Sequence, residues 1–349
     1  MGSDSGRKRK VRGRKIRSDR SVKERRKAEK QRRRAAKENG TSGSANGTTD
    51  ASTDVLRSPQ SAAPDPFVST DAVEDLTTRI GRWLEADQPV HVVGPTGCGK
   101  TALALSAAAE RGRPVVWIDG DQAVDTGTLV GEHAGGESYV EDDQYVSGVH
   151  KRTEVVRERW VDNPLSVAAR EGATLVYNEF SRSDPLAHNV LLSVFEEGVL
   201  ERPEKRGDDR KIDVHPEFRA ILTSNTAEYA GVHEPQDALL DRMVGVHVDY
   251  YDAETEREIV AAHVELPDDQ VERVVDATRA LREELDVVVG TRVAITAAKG
   301  LAVFGTGGDD AIDDEVLVTV FTDVLAPKFA GREDGADVAS LEGRVADAI

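Results

Sequence analysis

Short apolar runs, each bounded by polar turns, recur through the middle of the chain and alternate with segments of helical spacing. Each run spans four or five residues, which is the length of a buried strand. The runs are Val90–Val93, Val115–Ile118, Thr174–Tyr177, Ala220–Thr223 and Val244–Val248. Helical segments between consecutive runs are typical of parallel strands. The pattern predicts an α/β fold built on a parallel five-stranded sheet flanked by helices.

Helical spacing replaces the strand pattern beyond Asp252. Apolar residues three and four positions apart mark one face of a helix. They occur at Ile259, Val260, His263 and Val264, and again at Val271, Val274, Val275 and Leu281. An earlier helical face carries Val73, Leu76, Ile80, Trp83 and Leu84. Ser69 or Thr70 can cap that helix. We therefore expect an α/β domain at residues 65–252 and a small helical lid domain at residues 253–349.

The start of the chain differs from the rest in composition. Residues 1–40 hold 18 Lys and Arg against 5 Asp and Glu, and the stretch Asn39–Ala63 is rich in Ser, Thr, Gly, Ala and Asn. Such a segment has too little apolar surface to fold. We predict a disordered basic arm and linker over residues 1–64, with the ordered body beginning near Pro66. The arm could contact nucleic acid, an acidic partner or the acidic body of a neighbouring subunit, or remain a solvated tail.

The acidic charge lies in the body of the chain. The net charge is −18 although the arm is basic, and the body uses Asp, Glu and Arg with little Lys. This balance is typical of proteins from a salt-rich cytoplasm. No run is long and apolar enough to cross a membrane, and no apolar signal segment opens the chain, so a cytoplasmic protein is expected. The single cysteine, Cys98, excludes an internal disulfide.

A phosphate-binding motif follows the first predicted strand. The GxxxxGK[ST] pattern is formed by Gly94, Pro95, Thr96, Gly97, Cys98, Gly99, Lys100 and Thr101. Its glycines let backbone N–H groups turn toward phosphate oxygens, Lys100 reaches the β and γ phosphates, and the Thr101 hydroxyl can ligate Mg²⁺. Cys98 occupies a variable position and is interpreted as a small filler residue rather than a redox-sensitive thiol. The motif predicts binding of a nucleoside triphosphate.

Two polar residues end the strand Thr174–Tyr177, as in a Walker B element. Glu179 is predicted to orient the attacking water, because in-line phosphoryl transfer needs a fixed acceptor beside the γ-phosphate. Asn178 stands where an Asp usually holds Mg²⁺ through water, and its neutral carbonyl is a weaker partner for a dication. The sequence therefore predicts a magnesium site at Thr101 and Asn178 with reduced metal affinity or turnover.

Longer stretches resemble the MoxR branch of the AAA+ ATPases, over about Asp65–Asp252. They are Trp160–Gly172, Glu179–Arg182, Asn189–Gly198, Ile221–Asn225 and Asp237–Arg242. The resemblance implies ATP as the nucleotide, with Asn225 as the sensor 1 residue that helps to position water. It also implies that Arg242 reaches the ATP of a neighbouring subunit and that Arg292 is the sensor 2 arginine. Because an arginine supplied in trans ties hydrolysis to assembly, a homo-oligomeric ring, a hexamer, is implied.

Within that branch the chain resembles the gas vesicle ATPases of haloarchaea. The resemblance rests on Tyr177–Arg182, on Tyr229–Arg242, on the basic arm and on the acidic body. It implies an ATPase that assists assembly and growth of the gas vesicle shell, with other gas vesicle proteins as partners, in the cytoplasm or at the vesicle. One alternative is a MoxR-type chaperone that activates a metalloenzyme with a von Willebrand A-type partner. Another is a nucleotide-switched binding module that hydrolyses slowly. A nucleic-acid motor is supported only by the arm, so nucleic acid is not expected as a partner.

Two inserts are candidates for contact with a substrate. Leu200–Val214 is predicted to form a hairpin around a Lys-Arg-Gly-Asp turn. Ser138–Gly148 is predicted to be an acidic loop that carries Tyr139 and Tyr145. These two aromatic side chains could grip a protein substrate or pack locally.

Overall fold

The structure is a computed structural model that describes residues 55–143, 151–205, 207–226, 236–304, 313–329 and 338–349. The predicted basic arm lies outside these ranges, as do Tyr145 and Arg206. No helix within the described ranges is long and apolar enough to span a lipid bilayer.

Strands and helices alternate over the first two thirds of the described chain. The strands are β1 (Leu56–Arg57), β2 (Val90–Gly94), β3 (Val115–Asp119), β4 (Gly131–Asp143), β5 (Lys151–Asp162), β6 (Thr174–Asn178), β7 (Val199–Glu201), β8 (Lys211–Asp213), β9 (Arg219–Asn225) and β10 (Val244–His247). The helices between and before them are α1 (Pro59–Ala62), α2 (Asp71–Glu85), α3 (Lys100–Glu110), α4 (Thr126–Val130), α5 (Pro164–Glu171), α6 (Asn189–Glu196) and α7 (Asp237–Leu240). The helices beyond β10 are α8 (Ala253–His263), α9 (Asp268–Glu284), α10 (Thr291–Phe304), α11 (Asp314–Phe329) and α12 (Val338–Ala348).

A six-stranded sheet forms the centre of the α/β part, in the order β1-β3-β6-β9-β2-β10. The last five strands of that order are parallel, and β1 is antiparallel to β3. All five predicted runs lie in these parallel strands, with only Val248 beyond the end of β10, so the predicted five-stranded parallel sheet is confirmed. Because β2 is separated from β3 by β6 and β9, the winding reverses beside β2. Such a reversal opens a crevice at the carboxyl ends of the strands.

The two faces of the sheet are buried by different sets of side chains, as the two-residue period of a strand requires. In β6, Leu175 and Tyr177 join a buried cluster on one face, whereas Val176 joins a cluster on the other. The same alternation separates Leu222 from Ile221 in β9. Burial on both faces explains why these strands read as continuous apolar runs rather than as alternating patterns.

The helices from α8 onward share a third buried apolar cluster. Four of its members are the predicted positions Val271, Val274, Val275 and Leu281. In α2 the predicted capping and packing also occur: the Thr70 hydroxyl accepts from the Val73 N–H, and Ile80 and Leu84 are buried. Trp83, which we expected on the same face, is 40% exposed.

The segment Val55–Ala63 contains a short strand and a short helix, whereas we predicted an unfolded linker over Asn39–Ala63. Leu56 pairs with Val116 at the edge of the sheet, and Ala62 in α1 is buried. The average composition of the linker hid the two short elements within Val55–Ala63. The edge of β3 pairs with Leu56 and Arg57, the backbone of α1 bonds within its own turn, and the small side chain of Ala62 suffices for packing.

The acidic-loop prediction for Ser138–Gly148 is wrong as far as Asp143. Strands β4 and β5 form a long antiparallel hairpin, in which Tyr139 pairs with Val155. The strand signal lies mainly in the returning segment, where Val155, Val156, Trp160 and Val161 are strong strand formers. The hairpin predicted at Leu200–Val214 is present, since Leu200 pairs with Ile212 between β7 and β8.

Candidate functional site

The phosphate loop turns from the end of β2 into the start of α3 at positions that only glycine satisfies. Gly97 and Gly99 have φ values of 83° and 89°, in the left-handed region. A Cβ atom on Gly94 would lie 2.0 Å from the carbonyl oxygen of Val248. These glycines therefore set the loop's path, and the N–H groups of the first turn of α3 point out of the helix end, where they can bind an anion.

Lys100 lies inside this loop, with only 6% of the residue exposed. Its Nζ donates to the carbonyl oxygens of Gly94 and Pro95, at 3.0 and 2.6 Å. Burial lowers the pKa of its ammonium group. The neighbouring Cys98 is also buried, and burial raises the pKa of its thiol, as expected of a filler residue. Lys100 is thus the buried cation of the loop.

The ends of β6 and β9 bring polar groups to the same place. The Asn178 Oδ1 accepts from the hydroxyls of Thr101 and Thr223, at 2.7 and 2.9 Å. The Thr223 hydroxyl oxygen accepts in turn from the Glu179 N–H, at 3.0 Å. Thr101 and Asn178, the two predicted metal-site residues, are therefore in direct contact. Because the Thr101 proton is donated to Asn178, the lone pairs of its oxygen remain available for a cation, and hydroxyl and amide oxygens are donors that Mg²⁺ accepts.

Glu179 follows Asn178 in a left-handed conformation, with φ 48° and ψ 40°. Its carboxylate forms an ion pair with the Arg182 Nε at 2.8 Å and lines the same cleft as Lys100 and Thr101. Gly120 packs against it so closely that a Cβ atom on Gly120 would lie 2.2 Å from the Glu179 carbonyl oxygen. The carboxylate thus stands beside the phosphate loop on a backbone that is held from two sides.

Asn225 and Arg292 complete the polar side of the cleft. Asn225 ends β9 and is paired with Gly94 of β2. Arg292 lies in the first turn of α10, and a Cβ atom on the preceding Gly290 would be 2.6 Å from the Thr96 carbonyl oxygen. The start of α10 therefore lies against the phosphate loop, which brings Arg292 to the cleft from the helical part of the chain.

Arg242 is not among the residues that line this cleft. Its guanidinium instead forms an ion pair with Glu196 of α6 and donates to the Ala238 carbonyl oxygen. Of the predicted catalytic residues, Glu179, Asn225 and Arg292 are thus brought together and Arg242 is not.

The cleft has a volume of about 370 Å³ and a mixed lining. The phosphate loop and the polar residues above form part of its lining. Apolar side chains form another part, among them Phe67, Val68, Ile259 and Ile295. A cleft that combines apolar side chains with a helix N-terminus and a buried lysine suits a planar base joined to a chain of phosphates.

Sequence reasoning missed two residues of the polar network, Thr223 and Asp119. Asp119 ends β3 and its Oδ1 accepts from the Asn178 Nδ2 at 3.0 Å. Thr223 ends one apolar run, and Asp119 follows another. The carboxyl ends of neighbouring parallel strands meet at one edge of the sheet. The signal was therefore present, but the order of the strands was needed to use it.

Comparison with known proteins gives a consistent result. Residues 89–243 match the family described as AAA domain (dynein-related subfamily). The Gas vesicle ATPase GvpN2 of Halobacterium salinarum is 55% identical over 332 residues, which cover 95% of this chain and 94% of that protein. The Gas vesicle ATPase GvpN of Haloferax mediterranei is 54% identical over 333 residues, with 95% and 94% covered. Protein NorQ of Paracoccus denitrificans is 26% identical over 237 residues, with 66% and 79% covered.

Proposed function

Because this chain belongs to the gas vesicle ATPase family of AAA+ proteins, we propose that it uses ATP hydrolysis to assist the assembly and growth of the gas vesicle shell. The family membership makes the chain an ATPase, and the resemblance to that family and to the MoxR branch is confirmed. The observation that carries the proposal is identity above half with two gas vesicle ATPases over nearly the whole length of each chain.

In this proposal each cleft residue has its own role in binding or hydrolysing ATP. Lys100 and the N–H groups at the start of α3 hold the β and γ phosphates. Thr101 directly, and Asn178 through water, would hold Mg²⁺, which supplies positive charge to the phosphate oxygens when bound. Glu179 orients the attacking water and accepts its proton, while Asn225 donates to that water. Arg292 lies where it can offset charge on the transferred phosphoryl group.

We further propose that the active unit is a homo-oligomeric ring, a hexamer, in which Arg242 acts on the ATP of the next subunit. Two observations support this arrangement. Arg242 lies outside its own cleft, and its side chain is 31% exposed beside Glu196. A guanidinium held near the surface by a carboxylate can be presented to a neighbour.

The proposed partners are other gas vesicle proteins, and the proposed location is the cytoplasm or the vesicle surface. A second candidate function is a nucleotide switch that hydrolyses slowly. It is favoured by the neutral Asn178, which stands beside Thr101 where a carboxylate would bind a dication more strongly.

Replacement of Lys100 by Ala in cells tests the proposal. A haloarchaeal strain that lacks its own gas vesicle ATPase would receive either the unchanged gene, Lys100→Ala or the matched control Lys299→Ala, which removes an exposed lysine from α10. We expect normal vesicles with the unchanged gene and the control, and few or small vesicles with Lys100→Ala, as judged by electron microscopy. Vesicles of normal number and width with Lys100→Ala would contradict a role for ATP in shell assembly. If the protein is instead a nucleotide switch that hydrolyses slowly, cells that carry Glu179→Gln should show normal vesicle growth.

A further inference from the structure

A carboxylate that the sequence motifs do not include lies beside the Walker B position on the neighbouring strand. Asp119 at the end of β3 is paired in register with Asn178 at the end of β6. Its Oδ1 accepts from the Asn178 Nδ2 at 3.0 Å, and its Oδ2 accepts from the Trp117 Nε1 at 2.7 Å. Each oxygen of this carboxylate therefore has an N–H partner.

This contact decides which way the Asn178 amide faces. An ionised carboxylate can only accept hydrogen bonds, so the donor end of the amide must turn toward Asp119. With the amide reversed, its oxygen would face the carboxylate, and two acceptors would repel each other. The Oδ1 is thereby fixed toward the hydroxyls of Thr101 and Thr223, at 2.7 and 2.9 Å.

The fixed oxygen in turn orders both hydroxyls. Thr101 and Thr223 each have one proton, and both protons are donated to the Asn178 Oδ1. The Thr223 oxygen is then free to accept from the Glu179 N–H, and the Thr101 oxygen keeps its lone pairs for a cation. One carboxylate on β3 thus influences β6, β9 and the first turn of α3 through a single amide.

We propose that Asp119 is a positioning residue for the magnesium–ATP site: it replaces the carboxylate absent at position 178 and acts through the orientation of the Asn178 amide. The inference rests on the magnesium site proposed above. It has a distinctive consequence, because a carboxylate placed at position 178 would stand against Asp119. Restoring the usual Walker B acid should therefore harm this protein unless Asp119 is neutralised at the same time.

Equilibrium binding of a non-hydrolysable ATP analogue tests the proposal without reliance on turnover. The affinity is measured with Mg²⁺ and with a chelator, and the ratio of the two gives the enhancement by Mg²⁺. The variants are Asn178→Asp, Asp119→Asn/Asn178→Asp and Asp119→Ala. Asp121→Asn is the matched control, because it removes a carboxylate two residues away that accepts from the Ala123 N–H instead.

We expect Asn178→Asp alone to lower the enhancement by Mg²⁺ about tenfold, because the new carboxylate and Asp119 would then repel each other. The double variant should restore it fully, since the amide at position 119 can donate to the new carboxylate. Asp119→Ala should lower the enhancement about fivefold, the value of one hydrogen bond, and Asp121→Asn should leave it unchanged. If Asn178→Asp does not fold, Asp119→Ala decides the question.

An enhancement that rises equally in Asn178→Asp and in the double variant would overturn the role of Asp119, as would an unchanged value in Asp119→Ala. An unmodified protein whose affinity for the analogue does not respond to Mg²⁺ would overturn the magnesium site itself. A failure of the vesicle experiment would leave both binding results in place, so the role in shell assembly and the role of Asp119 fail separately.

Discussion

The carboxylate of Glu256 lies 2.7 Å from the guanidinium of Arg282, and Glu256 is only 1% exposed. The same carboxylate accepts from Arg279 at 3.0 Å and from the Thr291 hydroxyl at 2.8 Å. These contacts join α8, α9 and the first residue of α10. Since Arg292 follows Thr291, a buried carboxylate in the helical part sets the position of an arginine at the phosphate loop.

Replacement of Glu256 by Ala should therefore affect both stability and nucleotide binding. It would leave the guanidinium of Arg282 largely buried without its carboxylate partner, which costs about 3 kcal/mol of the free energy of unfolding. We also expect weaker ATP binding, because the start of α10 loses a contact that holds it. Urea unfolding and ATP titration measure the two effects. Glu258→Ala, at an exposed position of the same helix, is the control, and an equal response of both variants would contradict this role.

Gly120 should be required for turnover more than for binding. A Cβ atom there would lie 2.2 Å from the Glu179 carbonyl oxygen, so Gly120→Ala must displace the backbone that carries the proposed catalytic carboxylate. We expect a loss of about 1–3 kcal/mol in the free energy of unfolding from this overpacking. If Glu179 has the proposed catalytic role, ATP turnover should fall at least about tenfold, since a small misplacement of a reacting group is costly. Gly81→Ala, where a Cβ atom meets nothing within 4 Å, is the control for replacing a glycine by alanine, and its turnover should be unchanged. Unchanged turnover in Gly120→Ala would show that Glu179 tolerates the shift.

The parts of this fold that the sequence predicted are those with local signals. The parallel strands are short apolar runs because both faces are buried, and the phosphate loop needs its glycines at fixed spacing. The antiparallel pairing of Leu56 with Val116 has no such signal, because it depends on an edge that only the assembled sheet provides. The same reason hid the contact between Asp119 and Asn178, which lie on strands that become neighbours only in the sheet.

The buried role of Glu256 was hidden for a different reason. It lies in the segment Glu254–Glu258, which reads as the solvated face of a helix because four of its five residues are charged and the fifth is Thr. Its burial follows from Arg279 and Arg282, which lie more than twenty positions later and turn the carboxylate into the centre of a network. Long-range ion pairs of this kind leave no periodic pattern, so spacing alone could not reveal this one.

Glu179→Gln should separate nucleotide binding from hydrolysis. The amide keeps the shape of the side chain but cannot accept the proton of the attacking water, so turnover should fall about 10²–10⁴-fold while ATP remains bound. Lys100→Ala should abolish binding, because it removes the buried cation of the loop. Filter binding with labelled ATP and a phosphate-release assay, both in molar KCl with Mg²⁺, distinguish the two variants. The exposed Glu197→Gln serves as the control. Normal phosphate release by Glu179→Gln would remove this residue from the proposed mechanism.

Arg242 provides a test of whether active sites are shared between subunits. Arg242→Ala should retain ATP binding and lose about 10³-fold in turnover, because in the proposed ring the lost charge acts on the phosphoryl group in the transition state. If the arginine acts in trans, mixing this variant with Glu179→Gln should restore part of the activity, since an intact cleft can then meet an intact Arg242 of its neighbour. Specific activity of the unmodified protein should also rise with protein concentration as rings form. Exposed Arg82→Ala is the control for the loss of an arginine. Two inactive variants that stay inactive when mixed, although size-exclusion chromatography shows mixed rings, would place the arginine's effect within its own subunit.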